Sequence, residues 1–73
     1  MKKLKFRIRE LQAERERVTG ENVTYETIQN ATGVSPNTLS TMARGKVKMV
    51  GISTVERLLD YFECEPGDLI VYE

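Results

Sequence analysis

Ser35, Pro36, Asn37, Ser40 and Thr41 stand at spacings that place them together on one side of a predicted helix. Leu39 and Met42 fall on its other side. A hydroxyl both donates and accepts, and a carboxamide does both at once in a planar fork. Such short groups suit the edges of base pairs in a major groove. Asn37 matches the donor–acceptor pair of adenine, a contact worth about 1–3 kcal/mol of discrimination against other bases. Pro36 has no side-chain hydrogen bond to give and can only pack, for instance on a thymine methyl. Thr38 lies at the margin of this face, within reach of a phosphate. The chemistry on offer is recognition rather than bond making. An ordinary solvated helix face would use similar residues, so the surroundings must decide.

Catalysis has little to work with. The sequence has one cysteine and no histidine, so neither a zinc cluster nor a Ser/His or Cys/His pair can be assembled. No paired carboxylates fall in a recognisable cleft arrangement. The expectation is a protein that is not an enzyme, with no cofactor, no metal and no small-molecule substrate. Cys64, alone, excludes an internal disulfide framework and reads as a small packing residue in a reducing, cytoplasmic setting. No apolar run approaches membrane-spanning length, and the basic start is not followed by the apolar stretch of a secretory signal. A length of 73 residues fits one domain, residues 1–73. A core of that size supplies only about 3–5 kcal/mol, so a homodimer would help the fold as well as the function.

Net charge is zero, with eleven basic and eleven acidic residues, but the charges are segregated. Lys2, Lys3, Lys5, Arg7 and Arg9 open the chain with no acid among them. Residues 27–55 contain Arg44, Lys46 and Lys48 and again no acid, while Glu63, Glu65, Asp68 and Glu73 make an acidic end. The central basic island sits where a polyanion would touch the helix bearing Asn37. Its three cations read as phosphate contacts. Lys2, Lys3 and Lys5 read first as protection of an edge strand, with an arm touching DNA as the alternative. The acidic end would turn away from a polyanion.

These residues need elements to hold them. Leu4, Phe6 and Ile8 alternate with basic residues, which predicts a short first strand. A first helix follows over about 7–17, its Glu10, Glu14, Arg7 and Arg15 forming a solvated face. After a loop at 18–23, Thr24 caps a second helix with Glu26 in its first turn. Gly33 ends it in the left-handed conformation that disfavours a Cβ. Ser35 followed by Pro36 starts a third helix that runs to about 43 or 44, where Gly45 stops it. Ile28, Val34, Leu39 and Met42 form the seam that joins the second and third helices. Residues 53–56 read as a capping box for a fourth helix over about 53–63, with Ile52, Val55, Leu58, Leu59 and Phe62 at helical spacing. Tyr61, Phe62, Met42 and Met49 read as packing residues. Residues 66–68 make a turn or a single helical turn, and residues 69–72 a closing strand. The two terminal strands can pair with each other or with a second subunit.

Two short helices joined at Gly33, with the second one polar outward, is the helix-turn-helix layout. The sequence resembles the Cro/lambda-repressor-like, or xenobiotic-response-element, helix-turn-helix family, in its small stand-alone branch with flanking strands. The resemblance covers residues 3–73 and is carried by residues 4–11, 31–35, 37–40, Gly45-Lys46 and 64–69. It implies an all-α fold, a compact bundle of four to five helices with short N- and C-terminal strands. It implies that the third helix enters the major groove of double-stranded DNA, with bases touched by Ser35, Pro36, Asn37, Ser40 and Thr41. It implies phosphate contacts from Thr24 and Tyr25 at the start of the second helix, and from Arg44, Lys46 and Lys48, beside the Thr38 contact read from its place on the helix. Gln29 stands where the family usually has a small residue, so it must bend outward or the crossing opens slightly. The function implied is a sequence-specific transcription regulator, a repressor acting by occupying DNA as a homodimer. The alternative, favoured by zero net charge, is a protein-interaction module of the same fold, an antitoxin or antirepressor.

Overall fold

In a computed structural model, which describes residues 3–73, the alternating start becomes strand β1 (Leu4–Phe6). The expectation for Lys2 lies outside the described residues. Strand β1 runs into helix α1 (Ile8–Thr19), which ends at Gly20 with φ 76°. Thr24 caps α2 (Tyr25–Thr32), its hydroxyl accepting from the Thr27 N–H at 3.1 Å. Gly33, at φ 80°, closes α2 by donating to the Gln29 carbonyl at 2.7 Å. Ser35 caps α3 (Pro36–Ala43) in the same way, accepting from the Thr38 N–H at 3.2 Å. Proline in the first turn costs nothing, because that N–H has no helical partner anyway. Then come α4 (Ile52–Phe62), the single turn α5 (Pro66–Leu69) and strand β2 (Ile70–Tyr72).

The terminal strands pair with each other, antiparallel, with Leu4 opposite Tyr72, Lys5 opposite Val71 and Phe6 opposite Ile70. Reciprocal backbone bonds between Lys3 and Glu73, at 2.6 and 2.9 Å, extend the ladder, and the Arg7 N–H donates to the Leu69 carbonyl at 2.8 Å. The chain is thus mostly helical, with five helices and a two-stranded sheet among the described residues.

Every element but β2 delivers at least one side chain to a shared core of Phe6, Ile8, Val23, Ile28, Val34, Leu39, Met42, Leu58 and Leu69, and Ile70 of β2 packs half-buried against it. Burying such a residue fully stabilises the fold by about 1.5–3 kcal/mol. The seam residues Ile28, Val34, Leu39 and Met42 are all buried, which locks α2 and α3 together as one unit. No polar or charged side chain is buried among the described residues.

Five expectations need correction. The capping box at residues 53–56 does not form: α4 starts at Ile52 with Gly51 as its cap, so Ser53 is already inside the first turn. A reciprocal pairing appears at α5 instead, where the Asp68 carboxylate accepts from the Glu65 N–H at 3.1 Å. Met49 does not pack. It is 89% exposed, because Val47 and Val50 take the inward positions of its loop. Ile52, at 79% exposed, likewise stands outside the apolar face of α4. Arg15 leaves the charged face of α1: its guanidinium lies 4.4 Å over the Tyr61 ring and 3.8 Å from Glu63, while Glu14 pairs with Arg17. Stacking on an aromatic face draws Arg15 in. Leu69, placed in the closing strand by pattern, ends α5 and is fully buried.

Candidate nucleic-acid interface

The α2–α3 unit presents the outer side of α3, and its polar groups divide into spent and unspent. Ser35 is spent. Its hydroxyl accepts from the Thr38 N–H and donates to Thr38 Oγ1 at 2.9 Å, so it serves the start of α3. Thr41 donates to the Asn37 carbonyl at 2.8 Å and keeps only acceptor capacity for anything outside. The Asn37 carboxamide is exposed and makes no hydrogen bond among the described residues, and neither does the Ser40 hydroxyl. Pro36 is half-buried and offers carbon surface beside them. The five residues expected to meet bases are therefore brought together, but Asn37 and Ser40 hold the free hydrogen-bonding capacity. Thr38 accepts from Ser35, and its own proton goes to no described partner.

At the start of α2, Thr24 is exposed with its hydroxyl tied to Thr27, and Tyr25 is half-buried against the core. The N–H groups of a first helical turn have no partner within the helix and form a natural anion site. The position of this turn is set from α1, by contacts that the sequence pattern did not reveal. The Gln12 carboxamide donates to the Val23 carbonyl at 2.8 Å. The Val23 N–H donates to the Glu16 carboxylate, also at 2.8 Å. Together they clamp both polar groups of one buried residue immediately before Thr24. No local periodicity signals a link over seven and eleven positions.

Beyond α3, the backbone N–H groups of Arg44, Gly45 and Lys46 turn back on the carbonyls of Ser40, Met42 and Thr41. Gly45 takes φ 70° there. With Val47 and Val50 anchored in the core, loop 44–51 holds Arg44, Lys46 and Lys48 outward. The ion pairs among the described residues are Lys5–Glu73, Arg15–Glu63 and Arg17–Glu14. None uses a cation of this loop. Gln29 is exposed.

The acidic groups collect elsewhere. Glu10 and Glu14 of α1 line a groove with Glu63 and Asp68, bordered by Arg7, Leu11, Phe62 and Cys64. No residue of α3 or loop 44–51 lines it. Burial pushes the Cys64 thiol above its ordinary pKa, and the Asp68 and Glu65 carboxylates add to the shift. The thiol is therefore poorly nucleophilic. No helix of the described residues is long and apolar enough to cross a membrane.

Comparison with known proteins agrees with this geometry. A family model described as the Cro/C1-type HTH DNA-binding domain matches residues 1–73. A protein of Bacillus subtilis (strain 168) named "Uncharacterized HTH-type transcriptional regulator YozG" is 38% identical over 40 residues, covering 55% of this chain and 48% of that protein. The matched segment spans about half the length of that relative. No solved structure matches the chain.

Proposed function

The chain belongs to the Cro/C1-type helix-turn-helix DNA-binding domains, and from that premise we propose that residues 1–73 act as one cytoplasmic unit that represses transcription by inserting α3 into the major groove of a specific duplex site. Asn37 and Ser40 make the hydrogen bonds to base edges. Pro36 packs on them, Thr41 accepts, and Ser35 holds the start of the helix in register beside them. Thr24, Tyr25, Thr38, Arg44, Lys46 and Lys48 grip the two flanking phosphate backbones. Contacts of that kind set position and affinity, while the base contacts set sequence. The observation that carries the reading is the unspent Asn37 carboxamide on α3, set between a helix start and three cations without carboxylate partners. No cofactor or small-molecule substrate enters this scheme.

A homodimer fits the same reading, with half-site centres about 34 Å apart, one duplex turn. The cross-strand pair Leu4 and Tyr72, 55% and 64% exposed, supplies apolar surface for a second copy. Selection of bound duplexes from a random library tests the proposal. It should return a short palindromic consensus, and the Asn37→Ala variant should relax one position in each half. A library that yields no consensus, with a co-purifying protein instead, would support an antitoxin or antirepressor of the same fold. The equal number of acidic and basic residues is the observation on that side.

A further inference from the structure

The two acid-free parts of the chain, residues 3–9 and residues 27–55, meet in space. A Cβ built on Gly45 would stand 3.7 Å from Lys5 Cγ and 4.0 Å from the Leu4 carbonyl oxygen. The basic loop after α3 therefore lies directly on β1. Next to this junction a groove opens between β1, the first turn of α1 and the end of α3. It is lined by Lys5, Arg7, Arg9 and Ala43, with Val71, Phe6 and the carboxylates Glu10 and Glu73 completing its walls.

Two features of these cations are poor choices for the fold itself. Arg7 caps α1 and Arg9 sits in its first turn, where the helix dipole favours acids and disfavours positive charge. Neither guanidinium has a carboxylate within ion-pair distance among the described residues. Local rules that are broken without local compensation mark positions held for another purpose. Lys5 alone is paired, its ammonium 3.3 Å from the Glu73 carboxylate, and that contact is more than half exposed on both sides. A phosphate can displace so exposed a partner at small cost. Arg7 also borders the acidic groove beyond α1 and so marks the limit of the basic surface.

We propose that this groove is a second phosphodiester-binding surface, one that carries the duplex contact from Lys46 and Lys48 across Gly45 to Lys5 and Arg9. It rests on the DNA-binding reading above and deepens it. The protein then touches backbone beyond the segment gripped by the helix-turn-helix unit, and Glu73 acts as the internal competitor for Lys5.

The test is a fluorescence-anisotropy titration of the full chain on the selected duplex, between about 50 and 300 mM KCl. Each phosphate contact contributes about 0.9 to the slope of log affinity against log salt. K5Q/R9Q should lower the slope by nearly two. K46A/K48A should lower it independently, and the combined variant should show the sum. Arg9→Lys keeps the charge and should restore the wild-type slope, while E73Q should tighten binding. Arg9→Gln should leave thermal stability unchanged or raised, since it removes a cation from the positive end of α1. A wild-type slope in K5Q/R9Q, with a reduced one in K46A/K48A, overturns the second surface and leaves the first intact. A wild-type protein without salt-sensitive duplex binding overturns both.

Discussion

The clamp on Val23 gives the most quantitative expectation. Glu16→Ala removes the acceptor that faces the Val23 N–H at 2.8 Å. Val23 is only 4% exposed, so water cannot replace the carboxylate without opening the loop. An unsatisfied buried donor costs about 1–3 kcal/mol. Alanine is the better helix former, which returns a few tenths of a kcal/mol within α1. The net expectation is a loss of about 0.5–2.5 kcal/mol, a substantial share of the roughly 3–5 kcal/mol available to a core of this size. Urea unfolding followed by circular dichroism reads it directly. With a slope of about 1 kcal/mol per molar urea for a small protein, the midpoint should fall by about 0.5–2.5 M. Glu16→Gln keeps a carbonyl acceptor in the same place and should lose less than about 1 kcal/mol. Because the clamped residue precedes Thr24, Glu16→Ala should also weaken duplex binding under conditions where the fold is intact. If Glu16→Ala unfolds at the wild-type midpoint, or if Glu16→Gln is as damaging as Glu16→Ala, the clamp is not what holds this loop.

Leu39→Ala empties a fully buried position at the centre of the α2–α3 seam and should cost about 2–5 kcal/mol, leaving the protein largely unfolded by circular dichroism at 37 °C. Gly33→Ala should cost about 1–2 kcal/mol in urea unfolding, from the positive φ alone. The added Cβ would meet only Arg57 Nη1, at an ordinary 3.6 Å, so a loss well above that range would mean that the turn is sterically closed. Cys64 should react with iodoacetamide more slowly in the folded protein than in the urea-unfolded chain at about pH 8.5, near the ordinary thiol pKa. Its pKa is raised in the fold, so the unfolded chain gives up this proton first. The stabilising contribution is complete below the ordinary thiol pKa and declines as pH rises through the folded value. Equal alkylation rates in the two states would contradict the assignment of the shift to burial.

The helix starts at Thr24 and Ser35 and the stop at Gly33 were readable because each is fixed by residues within four positions, and the α2–α3 seam because helical spacing sets the apolar positions on each helix. Hydroxyl caps, a proline in the first turn and a glycine at the end act locally, whatever the rest of the chain does. The candidate site inherits that legibility, since Asn37 and Ser40 are placed by the helix that Ser35 begins. What failed depended on tertiary competition. Ser53 with Glu56 has the spacing of a capping box, but the anchoring of Val50 and Val55 in the core starts α4 at Ile52 and leaves Ser53 inside it. Met49 looked like a packing residue because apolar character was read without regard to which loop positions face inward. Arg15 joined the charged face of α1 on paper and stacks on Tyr61 in the fold, a partner forty-six positions away in sequence. The Gln12 and Glu16 clamp and the contact of Gly45 with Lys5 are of the same kind. They join segments whose proximity only the packed core determines.

The central claim is that α3 reads bases while loop 44–51 holds phosphate, and one paired titration separates those roles. Binding of wild type, Asn37→Ala and K46A/K48A is measured by anisotropy on the selected duplex and on a scrambled duplex of equal length. Asn37→Ala should weaken binding to the selected duplex by about 5- to 160-fold, the equivalent of about 1–3 kcal/mol, and leave the scrambled duplex unaffected. K46A/K48A should weaken both duplexes alike. An Asn37→Ala variant that binds both duplexes as wild type does, or loses equally on both, would contradict the account.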